Sequence, residues 1–405
     1  MSDELYYIWL SLACGAGSAL PGRLIGAFGS AGDIYAAERE QLEEKCGFAA
    51  DEDILNKLCG KDTGESEIIL ETCAKNNISV LHCENKLYPK RLRGIRAFPV
   101  VLYYKGRLPD IDDNLCIAMV GTRKMTEYGK YAAYELAREL AVCGAVIVSG
   151  LAEGIDTASH KGCLVENGFT IAVLGCGVDR VFPLENKALM DKIIERGLAL
   201  TEYPPGTEPK GFHFPVRNRI ISGLSQAVLV VEADHRSGAL ITARTALFQG
   251  RELYAVPGNI NSRNSIGTNN LLRNRAGIVT EAYDILSEYE HLYSHKINIE
   301  KTKYYNNKNN YELKTVKPKP QKSEIKPETS LAEKLSALKI ILSGAELKVF
   351  EVFYAKKDEK LHTDGIKLDM SVSELMNTLT FLEIYGIITS LPGDYYKISD
   401  SFIGL

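Results

Sequence analysis

The chain has 405 residues, with 48 Lys and Arg against 52 Asp and Glu and a formal net charge of −4 at pH 7, a length that suits two or three domains. A slightly acidic protein does not coat a polyanion through its overall field, so nucleic-acid binding has to come from a local concentration of cations. No apolar run of about 18 residues occurs and Met1 to Tyr7 lack the basic start of a secretory signal, so a cytoplasmic protein without a membrane partner is expected; the nine scattered cysteines, with no Cys-x-x-Cys pair, argue against a disulfide framework or zinc site and read as reduced core thiols.

Residues 1–75 are expected to be helical. An apolar stripe runs through Tyr7, Ile8, Leu10 and Leu12, Gly15 and Gly17 break it, and Pro21 opens a helix carrying Leu24, Ile25 and Phe28. This unit resembles sterile-alpha-motif (SAM) and helix-hairpin-helix modules, where a Gly-rich turn presents N–H groups to phosphate. A packing module without a ligand accounts for it equally well, because Gly also merely ends helices. Residues 78–108 are β-rich and punctuated by Pro, and read as an edge strand and connector.

From about 115 to 285, apolar runs alternate with helical patterns. Strands are expected at Cys116–Val120, Ala145–Val148, Ile171–Leu174, Ala199–Tyr203, Ala227–Val231 and Glu252–Val256, with helices such as Gly129–Val142 and Asn186–Arg196 between them. The alternation predicts a parallel sheet covered by helices on both faces, with ligands at the C-terminal strand ends. Those ends hold the unusual residues: Gly121-Thr122-Arg123, Ser149-Gly150, Gly175-Cys176-Gly177, Pro204-Pro205-Gly206, Ser237-Gly238 and Pro257-Gly258. Gly and Ser at helix N-termini expose N–H groups to anions, which makes a long phosphate-friendly rim.

This region is itself near neutral, with 18 Lys and Arg against 17 Asp and Glu over residues 115–285. Its local source of positive charge is the segment 210–221, where Lys210, Arg217 and Arg219, joined by His213 if protonated, stand among Phe212 and Phe214. Flat rings for unpaired bases and forked donors for phosphates are the two components of sequence-tolerant single-strand binding. Pro215 disfavours helical geometry at Phe214, so that ring need not turn into a core. A loop whose rings are buried and whose arginines pair with acids is the competing reading.

Other chemistries find little support. Gly121-Thr122-Arg123 lacks the second Gly of a dinucleotide fingerprint, Gly175-Cys176-Gly177-Val178-Asp179-Arg180 has Arg in place of the third, and no P-loop occurs. His160 with Asp156 could form an acid–base pair, yet Asp156 near a helix start reads better as a capping residue. Glu232 and Asp234 lack a further carboxylate or His at ligand spacing, so no metal is expected and Glu232 reads as a partner for an Arg or a loop cap.

Taken together, Gly121-Thr122-Arg123 with Tyr128-Gly129, Ser149 to Asp156 with His160, Phe214 to Ile221, Ser237 to Ala243, and Pro257-Gly258 with Ser265 to Asn269 resemble the DNA-processing protein A family (DprA, also called Smf), over roughly residues 80–285. The resemblance implies a non-enzymatic, cofactor-free protein that binds single-stranded DNA, forms homodimers and helps load RecA onto incoming DNA during natural transformation. It implies that Arg123 contacts phosphate, Lys210 neutralises the backbone, Phe214 packs on a base, and Asn218, Ser237 and Thr268 donate hydrogen bonds. Gly121, Thr122, Ser149, Gly150 and Gly238 in the turns, and the cations Lys161, Arg217 and Arg219, complete the expected DNA-binding set. The alternative is a phosphoribohydrolase-like enzyme of the lysine-decarboxylase-like Rossmann group, but the stretch beginning Pro257-Gly258-Asn259 does not match its Pro-Gly-Gly-x-Gly-Thr-x-x-Glu motif.

Residues 291–330 carry nine Lys against four Glu, with Pro and little apolar content, and read as a flexible basic linker. Beyond it, helices at Gly344–Phe353, about Thr363–Leu368 and Val372–Tyr385, then a hairpin from Ile387 to Ile398, resemble a winged helix. Its second long helix has no Lys or Arg, which speaks against groove reading of duplex DNA and leaves protein contact as at least an equal reading. The expected architecture is α/β: an extended Rossmann-like parallel sheet over 78–290, an N-terminal helical module (1–75), a basic linker (291–340) and a winged-helix domain (341–405).

Overall fold

A computed structural model describes residues 3–46, 52–302 and 344–399, apart from 357–358, 367, 369, 372–374, 377, 380–381, 384–386 and 392–394. The chain divides into two compact units, Met1–Leu313 and Lys314–Leu405.

In the first unit the short aliphatic runs become strands β1 (Ser79–His82), β2 (Val101–Gly106), β3 (Cys116–Val120), β4 (Val146–Ser149), β5 (Thr170–Val173), β6 (Leu198–Thr201), β7 (Ala227–Val230), β8 (Glu252–Ala255) and β9 (Gly277–Ile278). They form one nine-stranded sheet in the order β1-β2-β6-β5-β4-β3-β7-β8-β9. Neighbours from β6 through β3 to β9 pair in parallel, while β2 joins β6 and β1 in antiparallel fashion. Every residue of β3, β4, β5, β6 and β7 is buried, because helices cover both faces. Alternation along β3 divides the core accordingly: Cys116, Ala118 and Val120 face one apolar cluster and Ile117 and Met119 the other.

Among the described residues, six helices precede the sheet: α1 (Asp3–Cys14), α2 (Leu20–Phe28), α3 (Ala31–Ala36), α4 (Arg39–Cys46), α5 (Glu52–Gly60) and α6 (Gly64–Lys75). Tyr7, Trp9 and Leu10 of α1 lie in the same apolar cluster as Leu102 and Tyr103 of β2, so the helical module shares its core with the sheet. Gly17 in its Gly-rich turn donates its N–H to Glu202 at 3.3 Å, and a Cβ there would come within 2.7 Å of Val216. At Gly17 that turn packs against protein.

The short helix α7 (Lys90–Arg93) is followed by α8 (Glu127–Val142), α9 (Ile155–Val165), α10 (Lys187–Arg196), α11 (His213–Gly223), α12 (Gly238–Phe248), α13 (Ile266–Arg273) and α14 (Tyr283–Tyr293). The start of α8 lies two residues before the periodicity placed it, because Thr126 caps it by accepting from Gly129 N–H at 3.1 Å. The limits of the other strands shift by one or two residues. Residues 291–302, read from composition as the beginning of the linker, are folded: Ile297 is buried and Asn298 N–H donates to Cys143 O at 2.9 Å. The remainder of the expected linker lies outside the described residues.

The second unit holds α15 (Gly344–Ala355) and the three strands β10 (Leu361–His362), β11 (Ile388–Leu391) and β12 (Tyr395–Ile398), in the order β10-β12-β11. Val349, Phe353, Leu379, Leu382 and Ile388 centre its core. The expected hairpin strands are present, and a short 3-10 turn at Thr363–Gly365 stands where a small helix was expected. Much of the expected helix at Val372–Tyr385, and the turn Pro392-Gly393-Asp394, lie outside the described residues.

Candidate nucleic-acid interface

Chain order reverses beside β3, which lies between β4 on one side and β7 on the other. In open α/β sheets a crevice opens at such a point, outside the C-terminal strand ends. Here it is a cleft of about 360 Å³ lined by Gly121, Thr122 and Arg123 after β3, Ala152 and Asp156 after β4, Phe214, Pro215, Arg217 and Asn218 of α11, and Ser237, Gly238 and Thr242 at the start of α12.

Helix α11 begins inside the aromatic-basic segment, so Phe214 is helical, contrary to the expectation drawn from Pro215. Both sit in the first turn, where a missing N–H leaves no bond unmade and the Pro ring has no preceding turn to strike. The three rings have separate fates. His213 is buried, stacks on Tyr203 with centroids 4.1 Å apart and donates from Nδ1 to Gly175 O at 3.0 Å. Burial lowers its pKa, so it adds no positive charge to the segment. Phe214 is half-buried with Phe182 at 5.5 Å and the Arg123 guanidinium 5.2 Å above its ring. Phe212 is 66% exposed. Phe182, in the loop after β5, joins this aromatic group although nothing in the local sequence singles it out.

The cations divide in the same way. Arg217 is buried: its Nη1 donates to Gly150 O at 2.7 Å and to Val173 O, and its Nε donates to Asn218 Oδ1 at 3.2 Å. A Cβ at position 150 would lie 2.5 Å from this guanidinium, which is the packing reason for Gly150. Burial draws Arg217 down to about 10, so it stays charged at neutral pH. Arg219 grips the buried Glu202 carboxylate at 2.7 and 2.8 Å. Of the three arginines in the expected DNA-binding set, Arg217 and Arg219 therefore face protein. Arg123, Lys124, Lys210 and Arg236 are exposed.

Several expected rim donors are also turned inward. Ser149 is buried and its hydroxyl donates to Met119 O at 2.6 Å. Gly150 N–H and Ala152 N–H point at Asp156 Oδ2, at 3.1 and 3.4 Å, and Thr268 is buried with its hydroxyl donating to Ser265 O at 3.2 Å. Ser237 caps α12 by accepting from Ala239 N–H at 3.3 Å, which leaves Gly238 exposed at the helix start. Lys161 lies on α9, lining grooves other than the cleft. The cleft thus unites Gly121, Thr122, Arg123, Phe214, Arg217, Asn218, Ser237 and Gly238, while Ser149, Gly150, Lys161, Lys210, Arg219 and Thr268 are not among its lining residues.

Asp156 and His160 do not act as a pair. Asp156 accepts backbone N–H groups as above, and His160 is buried with Nδ1 2.7 Å from Thr170 Oγ1. Thr170 already donates to Ile147 O, so His160 carries its proton on Nδ1 and leaves Nε2 without a partner. Burial, then the Arg217 charge, hold its pKa down to about 3. Against an ordinary value of about 6.5, the unfolded chain binds the extra proton between these limits, so stability is full above the upper limit and falls as pH drops. Going from pH 7 to 5 is expected to cost about 2 kcal/mol from this residue. Urea midpoints at both pH values check it: His160→Asn should lose about that much less on acidification, and equal losses would refute the assignment. Glu232 serves as a loop cap, accepting from Thr126 N–H at 2.9 Å and Thr126 Oγ1 at 2.5 Å. Among the described residues no group of three or more His, Cys, Asp and Glu could hold a metal ion, and no helix is long and apolar enough to cross a membrane.

The family model described as DNA recombination-mediator protein A matches residues 79–290, the stretch that builds this sheet and cleft. The chain belongs to that family. It is 37% identical over 290 residues to protein Smf of Synechocystis sp., covering 71% of this chain and 72% of the relative. It is 45% identical over 203 residues to DNA processing protein DprA of Streptococcus pneumoniae, covering 50% and 71%. A crystal structure of DNA processing protein A from Streptococcus pneumoniae superposes with a TM-score of 0.62 at 33% identity, covering 71% of this chain and 98% of that one. DprA/Smf membership confirms the α/β fold with its mostly parallel sheet, and identifies a DNA-processing protein of a recombination-mediator family, not an enzyme.

Proposed function

We propose that this protein binds single-stranded DNA along the cleft at the switch point, protects the strand and helps load RecA onto it during natural transformation. The carrying observation is the Arg123–Phe214 pair: an exposed guanidinium held 5.2 Å over an aromatic ring offers phosphate contact and base stacking in one place. A duplex hides its base faces, whereas an unpaired base can slide onto Phe214 or the exposed Phe212. Arg123, Thr122 and Gly121 of one strand end, with Asn218, Ser237 and Gly238 across the cleft, supply donors to the strand, and Lys210 beside them adds charge. Arg217 acts beneath the surface by orienting the Asn218 amide: an arginine only donates, so Oδ1 faces Nε and the NH₂ group is turned away from it.

The protein works as a homodimer in this reading. Strand β9 is a sheet edge; its Ile278 and Leu247, which lines a groove with it, are 57% and 59% exposed, an apolar edge of the kind that a second copy covers. The C-terminal unit is read as a winged helix used for protein contact.

Fluorescence anisotropy with single- and double-stranded oligonucleotides over a salt series tests the reading. The single strand is expected to bind at least ten times more tightly than the duplex at each salt concentration, with log affinity falling linearly against log salt. Equal affinity for the two forms would sink it.

A further inference from the structure

Lys161 belongs to a second concave surface. A groove of about 280 Å³ runs past Met125, Lys130, Tyr131, Tyr134, Thr157 and Lys161. It meets a groove of about 470 Å³ that continues past Leu164, Val165, Leu189, Lys192 and Arg196. Tyr134 and Lys161 line both, so the two form one trough across α8, α9 and α10. Its lining residues Met125 and Thr157 stand within two residues of Arg123 and Asp156, which line the cleft, and the start of α10 is fastened there by Asn186 Nδ2 donating to Leu151 O at 2.9 Å and Thr157 Oγ1 at 2.8 Å.

The trough has the composition of a strand-binding surface. Lys130, Lys161, Lys192 and Arg196 line it against the acids Glu127 and Glu185. Among the described residues the ammonium groups of Lys161 and Lys192 have no hydrogen-bond or ion-pair partner. Tyr131 is 50% and Val165 54% exposed, so ring and aliphatic faces stand beside unneutralised cations in a region whose overall charge is near zero. Charged heads over apolar walls favour a ligand that alternates anionic groups with flat faces, as single-stranded nucleic acid does.

We propose that the trough is a second segment of the single-strand path: DNA leaving the Arg123–Phe214 cleft continues over α9 into it, with Lys161 and Lys192 on its phosphates and Tyr131 against a base. The inference rests on the single-strand reading of the cleft. A short oligonucleotide fills the cleft alone, and a longer one also occupies the trough.

Anisotropy with dT oligonucleotides of about 6 and about 30 nucleotides separates the two, the first near the lower end of the roughly 4 to 16 nucleotides that one single-strand site spans and the second well beyond it. The double variant Lys161→Glu/Lys192→Glu in the full chain is expected to weaken the long oligonucleotide at least tenfold and leave the short one within twofold. With two phosphates no longer neutralised, the salt slope for the long one should flatten by about 1.4, at roughly 0.7 for each phosphate of a single strand. Lys86→Glu, an exposed charge reversal on the segment between β1 and α7, controls for the general field, and an unchanged thermal melt controls for folding. Equal effects at both lengths, or the same loss from Lys86→Glu, would overturn the proposal. No effect at either length would overturn it too, and would leave the trough to an acidic protein surface. Failure of the wild-type protein to bind either oligonucleotide would be a failure of the cleft reading itself.

Discussion

Arg123→Ala lowers the affinity for a single-stranded oligonucleotide by an expected factor of about 10 to 100, or about 1.4 to 2.8 kcal/mol. Two losses combine. The guanidinium makes no hydrogen bond or ion pair among the described residues, so its donors are open to a phosphate, and a charge-assisted contact contributes about 1.5 to 3 kcal/mol. It also covers Phe214 at 5.2 Å, so removing it frees the ring that meets a base. Phe214→Ala should cost a similar amount, since stacking contributes about 1 to 3 kcal/mol per base. Phe212→Ala decides between the exposed ring and the half-buried one: a loss larger than that of Phe214→Ala would move the stacking role to Phe212. Arg123→Lys keeps the charge but not the planar fork and should recover only part of the binding. If Arg123→Ala stays within twofold of the parent while its melting curve is unchanged, the cleft is not the binding surface.

Glu202→Ala is expected to destabilise the protein by about 3 to 5 kcal/mol, because it leaves a buried guanidinium without its counter-charge. Glu202 and Arg219 side chains are 5% and 12% exposed and joined at 2.7 Å, and the same carboxylate receives the N–H of Gly17 from the helical module. One carboxylate thus ties α11, β6 and the α1–α2 turn together. Denaturant midpoints measure the effect. Replacing the pair together, as Glu202→Leu with Arg219→Met, should cost clearly less than Glu202→Ala alone, since neither charge is then left buried. A loss below about 1 kcal/mol for Glu202→Ala would show that Arg219 reaches water or another acid when released. A loss of DNA affinity in Arg219→Ala should follow its loss of stability, because that side chain faces Glu202 and not the cleft.

Much of the fold was legible in the primary structure for a simple reason. Strands buried on both faces read as unbroken aliphatic runs, and Cys116–Val120 was located to the residue. Helices between them carry one apolar stripe, as in Gly129–Val142, whose true start was displaced only by the Thr126 cap. The rim was legible because Gly, Ser and Thr gather after each strand. Side-chain direction was not. Arg217 and Arg219 stand two apart in a cation-rich segment and look like phosphate contacts, yet their partners Gly150, Val173 and Glu202 lie far away in sequence. No local pattern records such a meeting.

The glycines show the same division. Gly150 sits in a turn that suggests phosphate, and in the structure it makes room for Arg217. Gly17 likewise suggests a phosphate-binding hairpin and instead admits Val216 and donates to Glu202. In each case the residue type was informative about backbone proximity, because only Gly tolerates a neighbour so close, but silent about which neighbour.

By itself the sequence determined the class of fold, the strand ends at which Gly, Ser and Thr gather, and the family, because hydrophobic period and turn chemistry are local properties. Only the tertiary structure decided which charges face the ligand. Burial makes an unpaired charge costly, so Arg217 was drawn to carbonyls at the ends of β4 and β5, Arg219 to Glu202 after β6 and Asp156 to the N–H groups of Gly150 and Ala152, His213 and His160 were kept neutral, and Arg123 was left outside over Phe214.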